Sequence, residues 1–136
     1  MKIFIVCSKH FYKEVEEIAN FLKKQGHKIT YPNSFDEPLM EEKMKVNGKE
    51  NHKKWKREML KKDEENIKPQ DAILVLNFEK RGIPNYVGGA TFLEIYKAFE
   101  LNKKVFFYNP LPSCSFTDEL LAIDPIIING DLNKIK

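Results

Sequence analysis

Short apolar runs alternate along this chain with longer stretches whose apolar residues recur every three or four positions. Lys2 to Cys7 (KIFIVC), His27 to Tyr31, Ala72 to Leu76, Val105 to Tyr108 and Pro125 to Ile128 are four to six residues long and rich in β-branched or aromatic side chains. That is the pattern of strands covered on both faces of a parallel sheet. Between them, Phe11 to about Gln25 reads as a helix whose inner face is Val15, Ile18, Ala19 and Leu22, with Gly26 as its stop. From His52 to about Ile67 the stripe is His52, Trp55, Met59, Asp63 and Ile67. A third helix opens at Gly88-Gly89, with Phe92, Ile95, Tyr96 and Phe99 expected on the sheet and Lys97 and Glu100 toward water, and Thr117 to Ile123 is a short fourth. Asp36 to Glu50, broken by Pro38 and Gly48, is expected to be a mobile loop or short helix that could fold over a ligand. Regular β/α alternation with right-handed crossovers predicts one α/β domain over residues 1–136, a flavodoxin-like or Rossmann-like three-layer sandwich with five parallel strands in the order 2-1-3-4-5.

In open sheets of this kind ligands bind outside the carboxyl ends of the strands, which directs attention to the loop after Leu76 and the first turns of the helix behind it. Glu94 stands there among Ala90, Ala98 and Leu101 at helical spacing, a carboxylate rising from small and apolar neighbours. Such a group can act as nucleophile or general acid/base, or be a helical glutamate with no role. Asp63 lies on the inner stripe of its helix and needs partners there, either a neighbouring loop or a site that it helps to shape. The first strand runs into Ser8-Lys9-His10, a turn suited to a phosphate or sugar contact through backbone N–H groups. Neither GxGxxG nor GxxxxGK[ST] occurs, so neither a dinucleotide fingerprint nor a P-loop is supported.

Composition narrows the class. With 136 residues, 42% hydrophobic and 32% charged, the chain suits a globular fold with one core. No apolar run is long enough to cross a bilayer and no signal-peptide pattern leads the chain, so a cytoplasmic protein with no membrane partner is expected. Its two cysteines make neither a disulfide framework nor a zinc site, and His52 has no second ligand at metal spacing. The net charge of +3 is concentrated between Lys43 and Lys62. That run reads as a solvated helix face, a nucleic-acid surface being the alternative without any aromatic RNA-binding or helix-turn-helix motif to raise it.

Three segments together resemble the nucleoside 2-deoxyribosyltransferase family and its nucleotide N-glycosidase relatives. They are FIVCSKHF, a first strand running into a polar turn; WKREMLKKDEENIKPQDAILVLN, an Asp on a helix, an Ile four later and a second Asp entering the next strand; and GGATFLEIYKAFELNKKVFFY, a small-residue turn, a Glu in the first helical turns, an Ala and an Asn-Lys step into a strand. The resemblance spans most of residues 1 to 112. It implies attack by Glu94 on the anomeric carbon of a nucleoside or nucleoside 5′-monophosphate, giving a glycosyl ester that another base or water resolves, chemistry that carboxylates perform in glycosidases.

In the same light Asn77 would contact the base or sugar, Asp63 would support the pocket, and Ser8, His10 and the Gly88-Gly89 turn would hold sugar or phosphate. Tyr86 would stack on a base or offer its hydroxyl. No metal or organic cofactor is implied, and a homodimer or larger assembly is. Two positions depart from the family pattern: Asn77 stands where catalytic members carry an Asp and cannot exchange a proton at neutral pH, and Gly88 stands where many members have another Asp. A non-catalytic nucleotide sensor of the same fold is therefore the alternative.

Overall fold

In the computed structural model, which describes residues 1–136, the apolar runs become five short strands: β1 (Lys2–Val6), β2 (Lys28–Thr30), β3 (Ala72–Val75), β4 (Lys104–Phe107) and β5 (Ile126–Ile127). All pair in parallel, in the order β2-β1-β3-β4-β5. Five α-helices join them: α1 (Tyr12–Lys24), α2 (Met40–Val46), α3 (Lys49–Ile67), α4 (Gly89–Glu100) and α5 (Thr117–Ile123). This is the α/β three-layer, Rossmann-like architecture expected from the alternation.

Side chains alternate across each strand and so divide the core in two. Ile3, Ile5, Ala72, Leu74, Leu76 and Phe106 meet Val15, Ile18, Ala19 and Leu22 of α1 on one face. Phe4, Val6, Ile73, Val75, Val105 and Phe107 meet Ile67, Ile95, Ala98 and Leu120 of α3, α4 and α5 on the other. The last residues close the first layer: a single 3-10 turn at Leu132–Lys134 brings Ile135 into the core beside Ile128. The region expected as a loop or short helix contains α2, none of whose residues is buried. No helix is long and apolar enough to cross a membrane.

Helix α4 differs from its expected orientation. Thr91, Ile95 and Ala98 are the residues buried against the sheet, whereas Tyr96 and Phe99 are about half exposed. At about 100° per residue the helix is turned by roughly a quarter of a circle from its bulkiest apolar stripe. Small side chains at Thr91 and Ala98 let the backbone come close to the sheet. The turn also carries Glu94 to the edge of the buried arc, half-buried rather than solvated.

Beyond β3 the backbone does not simply run to solvent. Asn77, fully buried, donates through Nδ2 to the carbonyls of Asn109 (3.1 Å) and Pro110 (2.8 Å) and accepts from the Asn109 N–H (2.9 Å). Asn109 Nδ2 returns a bond to the Asn77 carbonyl at 3.1 Å. The two amides tie the ends of β3 and β4 together and satisfy backbone groups that no further strand can reach.

Candidate functional site

The sheet changes direction between β1 and β3: α1 leaves β1 over one face and α4 leaves β3 over the other. A crevice must open where the two chains diverge. A cleft of about 280 Å³ lies there, near the lower end of the roughly 300–1,000 Å³ usual for small-molecule sites. Its floor and walls come from the turn after β1 (Cys7 to His10), the first turn of α1 (Tyr12), the inner side of α3 (Trp55, Lys56, Met59, Asp63) and the start of α4 (Gly88 to Thr91, Glu94).

Each wall follows from local sequence. After β1, Ser8 caps a 3-10 turn, its Oγ accepting from the His10 N–H at 3.4 Å, so Lys9 and His10 rise at the cleft mouth. Slight desolvation and the cations of Lys80, Arg81 and Lys9 hold His10 below the usual histidine range. After β3, Lys80 and Ile83 exchange backbone bonds of 2.9 Å around Arg81 and Gly82, both at positive φ, forming a tight reversal of the kind favoured by twisted strands. The reversal returns the chain so that Tyr86 N–H reaches the Phe78 carbonyl (2.9 Å) and Lys80 Nζ sits 4.4 Å above the Tyr86 ring. Gly88 lies under that ring: a Cβ there would stand 3.1 Å from Tyr86 Oη. It also starts α4 without a side-chain cap, leaving first-turn N–H groups and the positive end of the helix dipole at the cleft.

At the bottom, α3 and α4 present two carboxyls to the same space. Asp63 is only 7% exposed, yet neither it nor Glu94 has a hydrogen bond to or ion pair with another protein group. No sealed-off side-chain oxygen in the molecule lacks a partner, so both carboxyls reach the cleft. Burial pushes Asp63 up to about 6, against the pull of Lys97 and Lys56. Burial, reinforced by the charge of Asp63 and opposed by Lys56, holds Glu94 well above the usual carboxylate range. Because the charge of Asp63 adds to the burial that raises Glu94, the two titrations are coupled. Two carboxyls free of protein donors and open to a ligand can attack carbon or move protons.

The upper wall is tethered by polar contacts. Burial raises Glu41, but hydrogen bonds from His52 Nε2 (2.9 Å) and Lys56 Nζ (3.3 Å) outweigh it and keep Glu41 below the ordinary range. Lys9 pairs with Glu42, linking the β1 turn to α2. His52 stacks on Trp55, ring centroids 6.3 Å apart, and Trp55 lines the cleft as its largest flat surface.

Of the residues singled out in the sequence, Ser8, His10, Asp63, Tyr86, Gly88, Gly89 and Glu94 all line this one cleft. Asn77 does not. Its side-chain amide is used up by Asn109 and Pro110, and the expected contact with base or sugar is replaced by a structural tie. Tyr12, Glu41, Trp55 and Lys56 belong to the site without having been marked for it. Trp55 carried a signal, being the only tryptophan and lying on the same stripe as Asp63. Lys56 carried none, since nothing distinguishes it from its basic neighbours until α3 is docked. Compared with protein-family models and with curated proteins, the chain matches none.

Proposed function

We propose that this protein cleaves or exchanges the N-glycosidic bond of a nucleoside or nucleoside 5′-monophosphate, as a nucleoside 2-deoxyribosyltransferase-like enzyme with Glu94 as nucleophile. The observation that carries the reading is the pair of unpartnered carboxyls, Glu94 and Asp63, at the bottom of a cleft at the carboxyl ends of β1 and β3. Glu94 Oε attacks the anomeric carbon, the bond to the base nitrogen breaks with its electron pair leaving on the base, and a glycosyl ester remains. An acceptor base or water then attacks that carbon and Glu94 departs. Asp63, ionised above about pH 6, takes the proton of an attacking water. Trp55 and Tyr86 offer flat faces to a base, while Lys9, His10 and Lys80 at the mouth and the uncapped start of α4 suit a sugar or phosphate. The resemblance also carries a homodimer or larger assembly, for which Leu93, Tyr96 and Phe99 form an exposed apolar stripe on α4.

A second reading, nucleotide binding without turnover, is favoured by the tie that removes Asn77 from the cleft and by the absence of a side chain at Gly88. The experiment is chromatography for free base after incubation with ribo- and deoxyribonucleosides and their monophosphates, with and without an acceptor base. Release by the native protein and none by Glu94→Ala is the expected result. Thermal shifts with the same ligands but no release from any would leave binding alone.

A further inference from the structure

The groups that could protonate a departing base are few. A neutral purine or pyrimidine leaves as an anion unless a donor protonates it, and a positioned acid is typically worth about 10²- to 10⁴-fold. Three carboxyls line the cleft: Glu94, Asp63 and Glu41. Glu94 must be ionised to attack. Glu41 is kept as a carboxylate by His52 and Lys56. Asp63 has mostly lost its proton at neutral pH. Asn77 is turned away into its tie with Asn109 and Pro110, and Gly88 has no side chain to offer. His10 is exposed, and slight desolvation with the cations of Lys80, Arg81 and Lys9 holds it below the usual histidine range and so disfavours its imidazolium form. The other polar side chains include lysines and tyrosines, weak acids as a class.

Lys9 and Lys80 place positive charge at the mouth, whereas the bottom of the cleft, between Asp63 and Glu94, favours a cation. Two carboxyls without protein donors face the cleft, and Lys56, whose charge reaches both, is tied to Glu41 at 3.3 Å. Building on the N-glycosidic reading and narrowing it, we propose that the leaving base is cationic in the substrate: a glycoside of a quaternised ring nitrogen, such as a pyridinium or N7-alkylated purine nucleoside. Glu94 Oε bonds to the anomeric carbon as the C–N bond breaks. The electron pair of that bond cancels the charge on the ring nitrogen, and the base leaves neutral with no proton required. Water then attacks the anomeric carbon, Asp63 accepts its proton and Glu94 departs as carboxylate. The bound cation also favours ionised Glu94, so the substrate readies its own nucleophile.

The test compares nicotinamide riboside and 7-methylguanosine with guanosine, inosine and uridine, as ribo- and, where stable, deoxyribo- forms, with and without a 5′-phosphate. Native protein and Glu94→Gln are assayed at pH 7, with release in buffer alone subtracted. Release from the cationic glycosides by native protein only, about 100-fold or more faster than from the neutral ones, is expected. Comparable rates on both classes, or a preference for neutral nucleosides, would overturn the cationic assignment and leave the N-glycosidic reading standing. No release from either class would overturn both.

Discussion

Replacing Asp63 with Asn should make this protein more stable and less active, and only at the pH values where Asp63 is charged. In the fold its carboxyl keeps a proton to about pH 6, whereas an ordinary Asp releases it near 3.8. Folding therefore takes up a proton between those values. The contribution of Asp63 is most favourable at and below 3.8 and is lost as pH rises through 6. At ~1.4 kcal/mol per pH unit that interval amounts to about 3 kcal/mol above pH 7. Asn has no charge to bury, so Asp63→Asn should recover about 2–3 kcal/mol at pH 8 and almost nothing at pH 4. The unpartnered amide and the coupling to Glu94 account for the lower figure. For 136 residues an unfolding entropy of ~2.1 cal/mol/K per residue converts this to about 7–10 °C in Tm. Melts followed by circular dichroism at pH 4 and pH 8, with base release measured alongside, test it. An offset of the same size at both pH values, or a variant less stable at pH 8, would refute the reasoning.

The tie beyond β3 and β4 should be as costly to cut as a buried network: Asn77→Ala leaves buried backbone groups of Asn109 and Pro110 without partners, and urea melts should show a loss of about 2–4 kcal/mol. A loss under about 1 kcal/mol would mean that those groups find other partners. Lys56→Met removes the cation that holds both cleft carboxyls down, so both should titrate higher and the rising limb of the rate–pH profile should move to higher pH. An unmoved limb would show that neither carboxyl sets it.

The fold was legible because strand alternation and helix stripes depend on local spacing. Val15, Ile18, Ala19 and Leu22, and the stripe from His52 to Ile67, lie inward as their periodicity required. Asp63 could be flagged for the same reason, since a carboxylate on an inner stripe is visible without coordinates. What spacing could not supply was docking. Tyr96 and Phe99 are bulky enough to claim the sheet, but the closer fit of Thr91 and Ala98 decided the helix rotation. The resemblance makes Asn77 a ligand contact; in the fold its partner, Asn109, lies 32 residues away, just beyond β4. Polar pairs that distant leave no periodic trace. Trp55 and Lys56, to which the resemblance gives no role, reach the cleft only through the way α3 packs.

The rotation of α4 has a consequence for how this protein can change. Its sheet-facing side, Thr91, Ile95 and Ala98, fixes the height and angle of Glu94, whereas Leu93, Tyr96 and Phe99 stand half exposed on the outside. Mutations can therefore accumulate on one flank, altering solubility or what the helix meets, without displacing the carboxylate on the other. An engineer would have the same freedom: the outer three positions form a library that can be searched while the reactive group stays where the small residues put it.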